Sequence, residues 1–91
     1  MRNVRIRRSD LVWDQKNVAH FGKHTVTKYE IEQILKGAVV VRETYGDRLM
    51  MVGKFKRRMI SVVVTKVKEG YLVITARDSS KNERKIFRNE K

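Results

Sequence analysis

The sequence predicts an α+β domain, and three observations carry that prediction. Trp13 to Leu35 holds two stretches with apolar residues at helical spacing. From Ala38 to Ala76 the pattern turns extended, with four runs rich in β-branched residues separated by short turns. Ser80-x-x-Glu83 then gives a helix-start signal before a last charged stretch. The expected architecture is an antiparallel meander of about four to five strands with two N-terminal helices and a C-terminal helix packed on it. Residues 1–10 form a basic N-terminal arm or edge strand, and residues 11–91 a single domain. At 91 residues the chain can bury one modest core.

Taken in order, Arg2 to Arg8 alternates Val4 and Ile6 with arginines, which suits an edge strand with one basic face and equally a basic arm without fixed structure. Ser9-Asp10 marks a turn, and Leu11-Val12-Trp13 is a short extended piece that delivers Trp13 to the core. Asp14 is placed to cap a helix over residues 15–21, with Val18 and Phe21 facing inward. Thr27-x-x-Glu30 is a capping box for the second helix. There Tyr29, Ile31, Ile34 and Leu35 form the apolar stripe and Gly37 supplies the stop.

The strands are expected over residues 38–42, 48–55, 59–67 and 71–76, with Gly53 as a bulge. Met59 to Val67 is apolar on both faces and belongs in the centre of the sheet. Tyr45-Gly46-Asp47, Lys56-Arg57-Arg58 and Lys68-Glu69-Gly70 are the turns. The last helix spans residues 81–89, with Ile86 and Phe87 as docking residues. One sheet face is covered by helices and the other left partly open.

Charge narrows the function. Twenty-two Lys and Arg against ten Asp and Glu give a net charge of +12 and a pI near 10.5. Such a chain attracts polyanions. Nucleic acid and an acidic protein rank ahead of an anionic membrane, because the basic residues are spread over strands, turns and both ends instead of one amphipathic helix. There are no cysteines, so disulfides and thiolate metal sites are excluded. No apolar run follows the basic N-terminus, so no signal peptide is expected, and the expected location is cytoplasmic.

Two motifs resemble a known family. Trp13-Asp14, the polar helix carrying Lys16, and Lys23-His24-x-Val26-Thr27-x-x-Glu30 resemble the opening of the BrnT-type toxins. Ile74-Thr75-Ala76-Arg77-Asp78-Ser79-Ser80-Lys81-Asn82-Glu83-Arg84 resembles that family's I-S/T-A-R-x-x-T/S-x-x-E-R. Arg48 and Val52-Gly53 stand where the family has an Arg and a hydrophobic-Gly strand. The likeness spans roughly residues 11–88. It departs from the pattern at Thr25 (a Gly in the family), at His20 (often Asn) and at Phe87 (a Tyr).

The resemblance implies a RelE-like fold and the toxin of a type II toxin–antitoxin pair, a metal-independent ribonuclease with no cofactor. It also implies a DNA-binding antitoxin as partner, with DNA contacted only through that complex. RNA cleavage without a metal needs a base for the ribose 2′-OH, cations for the phosphorane charge and an acid for the leaving oxygen. His24 is the candidate base or acid, and Lys23, Arg48 and Arg77 the candidates for the phosphate. His20, Glu83 and Arg84 are secondary candidates.

Each also has a structural reading. His24 and His20 suit helix capping or packing, Arg77 a salt bridge to Glu83 or Asp78, and Arg48 a solvated strand end. Glu83 is already explained as a cap. His20 and His24 lack a third ligand for a metal site. Lys54, Lys56, Arg57 and Arg58 at one hairpin tip, with Arg5, Arg7 and Arg8 in the arm, are candidates for sequence-independent RNA contact. The alternative function is a non-catalytic nucleic-acid-binding or partner-binding module on the same fold.

Overall fold

The computed structural model describes residues 5–22, 26–44 and 46–90. After a single 3₁₀ turn, Arg8–Asp10, the elements run β1 (Leu11–Val12), α1 (Gln15–Gly22), α2 (Lys28–Ile34), β2 (Val39–Glu43), β3 (Arg48–Phe55), β4 (Arg58–Val67), β5 (Gly70–Asp78) and α3 (Lys81–Glu90). The strands form one five-stranded sheet in the order β1-β5-β4-β3-β2. Strands β2 to β5 are the expected antiparallel meander, with β4 in the middle. β1 pairs parallel to β5 through Leu11–Tyr71 and Val12–Leu72, which makes the sheet mixed.

Of the two readings of the arm, Arg5 to Arg7 forms no strand, and the segment that pairs lies in the expected extended piece, at Leu11–Val12. Ile6 is nonetheless buried in the main core, so the arm is anchored by one apolar residue between exposed arginines. Gly70 makes the junction possible. It has φ +147°, and a Cβ there would run into the Asp10 carbonyl.

Local signals set the helix ends. The Asp14 carboxylate accepts from the Lys16 N–H at 2.8 Å and the Asn17 N–H at 3.3 Å, opening α1. Thr27 and Glu30 close the expected capping box, with Glu30 N–H to Thr27 Oγ1 at 3.2 Å and Thr27 N–H to Glu30 Oε1 at 2.9 Å. α2 stops at Ile34, before Gly37. The Lys36 N–H bonds to the Gln33 carbonyl and the Gly37 N–H to the Ile34 carbonyl, a tightened last turn that satisfies the free carbonyls.

Tyr29 is not part of the buried stripe. Ile31 and Ile34 are buried, while Tyr29 is 60% exposed. It sits in the first turn, and the short helix turns its inner face through Ile31 and Ile34 onto β3 and β4.

Both faces of the sheet carry a helix layer, where one covered face was expected. The larger core joins Ile31 and Ile34 of α2, with Val18 of α1, to Met51, Ile60, Val62, Val64, Val73 and Ala76. On the opposite face Phe87 and Ile86 of α3 pack over Val40, Val52, Met50 and Met59. Gly53 is no bulge, because β3 and β4 stay in register through it. It admits α2: an added Cβ would lie 2.8 Å from Ile34 Cβ and 2.9 Å from Val39 Cγ1. The register shift falls at Val63/Val64 instead, opposite Thr75 and Val73, leaving Ile74 as the extra residue of β5. The expected turn at Tyr45 lies partly outside the described residues.

Candidate functional site

Cross-strand partners share a face, so the register sorts the α3 side of the sheet into rows. Arg77–Ser61–Val52–Val40 is the row beneath α3. Next comes Thr75–Val63–Met50–Arg42, then Leu72–Thr65–Arg48. All seven residues of these last two rows are half-buried. Beyond α3, then, the face is a strip of Met, Val, Leu and Thr side chains with Arg42 and Arg48 at its β2–β3 side. Arg42 stands diagonal to Arg48, a spacing of roughly 7–8 Å between such positions. The Arg42 guanidinium donates to the Val41 carbonyl at 3.2 Å.

At the other side of the face a polar cluster is built around Glu83. Arg77 grips its carboxylate with two nitrogens, each at 2.7 Å. The Ser80 N–H donates to it at 2.8 Å, and Ser61 Oγ at 2.8 Å. Ser61 has spent its proton on Glu83, so Ser79 is the donor in their 2.7 Å contact. The Glu83 N–H returns to Ser80 Oγ, completing the expected capping box of α3.

Arg77's hydrogen bonds, helped by Ser80 and Ser61, overcome the cost of burial and hold the Glu83 carboxyl down at about 2. Glu83 in turn pushes Arg77 upward. A carboxylate so acidic and so fully engaged orients Arg77 and is no proton acceptor. Arg77 keeps 44% of its side chain exposed, on the same face as Arg48 but two rows away.

The remaining candidates divide. Lys23 and His24 lie outside the described residues, as does the His20 side chain. Helices α1 and α2, between which Lys23 and His24 stand in sequence, pack on the face opposite Arg48 and Arg77. Lys54 is exposed on β3, and Lys56 and Arg57 form the two-residue turn to β4, with Lys56 at φ 57°.

Arg58 has a different employment from the one expected at a basic tip. It bonds Glu30 at 2.8 Å and Asp78 at 2.6 Å, tying the α2 cap to the end of β5. Burial alone would raise Glu30, but the Thr27 N–H and Arg58 hold it below its ordinary value. Arg5, Arg7 and Arg8 are exposed, with Arg7 3.4 Å from Asp10, and Arg84 is exposed on α3. Among the described residues no three His, Asp or Glu side chains gather where a metal ion could be held. No helix among them is long and apolar enough to cross a membrane.

Arg42, Ser61 and Tyr29 are the residues a reading by motif passes over. Ser61 left a signal, a hydroxyl inside the apolar run Met59 to Val64. Arg42 left none, because only the register places it beside Arg48.

This structure aligns with the crystal structure of the Brucella abortus ribonuclease toxin BrnT at a TM-score of 0.63 and 28% sequence identity, over 78% of this chain and 96% of that one. The chain is BrnT-like. No protein-family model and no curated protein matches the sequence. The BrnT-like chain spans nearly the whole length of its structural relative.

Proposed function

We propose that this chain is an RNA-cleaving toxin restrained by a cognate antitoxin that binds DNA. The observation that carries the reading is the alignment with the ribonuclease toxin BrnT over 96% of that chain. The net charge of +12 supports it, because an RNA substrate and an acidic restraining partner both answer that charge.

In this reading the 2′-OH of a ribose gives up its proton and attacks the adjacent phosphorus, and the P–O5′ bond breaks. A 2′,3′-cyclic phosphate is left on one fragment and the protonated 5′-oxygen on the other, and no metal is needed. His24 serves as base or acid, since imidazole titrates near neutrality. Lys23 is the cation for the growing negative charge of the phosphorane beside His24, while Arg48 and Arg77, on the sheet face opposite helices α1 and α2, take phosphates elsewhere along the strand, with Glu83 holding Arg77 in orientation. Lys54, Lys56 and Arg57 at the hairpin tip and Arg5, Arg7 and Arg8 in the arm hold the rest of the strand through its phosphates. DNA is contacted only through the antitoxin complex, and the protein works in the cytoplasm.

Phe87, 5% exposed, packs its ring in the seam between α3 and the sheet, against Val40 and Val52.

Induced expression in a bacterium tests the reading. The wild-type chain is expected to arrest growth and fragment total RNA, while His24→Ala and Arg48→Ala at equal soluble yield are not. Arg77→Ala is the poorer probe, because it strands a buried carboxylate and lowers stability as well as charge. Arrest with intact RNA would favour the second reading, a nucleic-acid-binding module without cleavage, for which the exposed Lys56 and Arg57 are the supporting feature. Normal growth with intact RNA at confirmed soluble yield would reject the toxin.

A further inference from the structure

Tyr29 is the exposed large hydrophobic residue among those described, at 60%. It is held in place: its ring lies 5.9 Å from that of Phe55, at 84°, an edge-to-face contact between α2 and the end of β3. Phe55 is itself partly buried against the main core, so the pair is rooted. Lys56 Nζ lies 5.3 Å from the Phe55 centroid, and Arg57, next in the turn, is exposed. Lys28, beside Tyr29 in sequence, holds its ammonium 4.8 Å from the Trp13 ring. Glu30, next to Tyr29 in sequence, and Asp78 are both bonded by Arg58.

We propose that Tyr29, braced by Phe55, is a stacking platform for one unpaired base of an RNA strand whose neighbouring phosphates lie on Lys56, Arg57 and Lys28. The proposal rests on the RNA reading above and adds to it a contact that the phosphate-binding cations do not supply. Two features select a single strand. A ring offered to solvent, with Lys28 next to it in sequence and Lys56 against its Phe55 brace, matches the alternation of base and phosphate along an open strand, whereas the bases of a duplex are already stacked and out of reach. An acidic peptide would answer the cations but has no flat face to set on the tyrosine.

The test uses the full chain, a labelled single-stranded RNA of about twelve nucleotides made uncleavable by 2′-O-methylation, and a duplex of the same sequence. Binding is followed by fluorescence anisotropy across a salt series. Tyr29→Ala is expected to weaken the single strand about tenfold, leave the duplex unchanged and keep the salt slope. Tyr29→Phe retains the ring and is expected to bind within about twofold of wild type. Lys56→Ala is expected to lower the salt slope by about one on both ligands.

Equal single-strand affinity in wild type and Tyr29→Ala would overturn the proposal, as would equal losses on single strand and duplex. Loss of binding to poly-glutamate in Tyr29→Ala, with RNA binding intact, would also overturn it and assign the ring to a protein partner. Because the RNA is uncleavable, these outcomes are independent of catalysis. A failure to cut natural RNA would strike the ribonuclease reading and leave the platform standing.

Discussion

Glu83 shows how much local structure one carboxylate can organise. Its carboxylate accepts four hydrogen bonds, from Arg77 twice, Ser61 and Ser80, and titrates at about 2 in the fold against 4.5 for the free group. A depressed carboxyl contributes stability that is fully present above the unfolded value and is lost as pH falls from about 4.5 to about 2. Allowing for the exposure of Arg77, the contribution is about 2 kcal/mol. Glu83→Gln is therefore expected to lose about that much at pH 7 and little near pH 2. Denaturant unfolding at the two pH values checks this, and an equal loss at both would contradict it. Ser80-x-x-Glu83 was readable because a cap is local. The hydroxyl pair Ser61 and Ser79 was not, because the two residues meet across a strand-to-loop contact far apart in sequence.

At the scale of elements, the same division explains what the sequence disclosed. Both capping boxes, the four meander strands and the central place of β4 follow from neighbours in the chain. The parallel β1–β5 pairing, the crossing of α3 to the second face and the exposure of Tyr29 depend on partners far away in the chain, and local pattern does not carry them.

Gly53 is the sharpest case. In the sequence it suits a bulge, while in the fold it is the point where α2 lies against the sheet. Gly53→Ala is expected to cost roughly 1–3 kcal/mol, because Ile34 Cβ belongs to a packed helix and has no room to retreat. A thermal melt unchanged from wild type would refute that packing.

Arg58 makes the complementary case in the basic tip. Arg58→Gln is expected to lower stability by about 1 kcal/mol, since it frees Glu30 and Asp78, and to leave RNA affinity unchanged. Anisotropy alongside unfolding separates it from Lys56→Ala, whose effect runs the other way. The candidate site was readable to the extent that it rests on motif: Arg48 and Arg77 fall on one sheet face, and Lys23 and His24 lie outside the described residues. Arg42 came only with the register.

For the molecule as a whole, charge and frame together state the account. A net charge of +12 on 91 residues supplies attraction to RNA without sequence preference. The sheet supplies a face with Arg42 and Arg48 on one side and the Glu83-braced Arg77 on the other. RNA affinity is accordingly expected to fall steeply and linearly with the logarithm of salt concentration, and a flat salt dependence would remove phosphate contact from the account.

The most direct test of its central claim is RNA cleavage by the purified chain. Wild type and Arg48→Ala, both confirmed folded, would be incubated in chelator with end-labelled RNA, naked and on translating ribosomes. The account predicts that the wild type cuts on at least one of these, leaves cyclic phosphate ends, and loses most of its rate in Arg48→Ala. Intact RNA on both substrates with folded wild-type protein would contradict it.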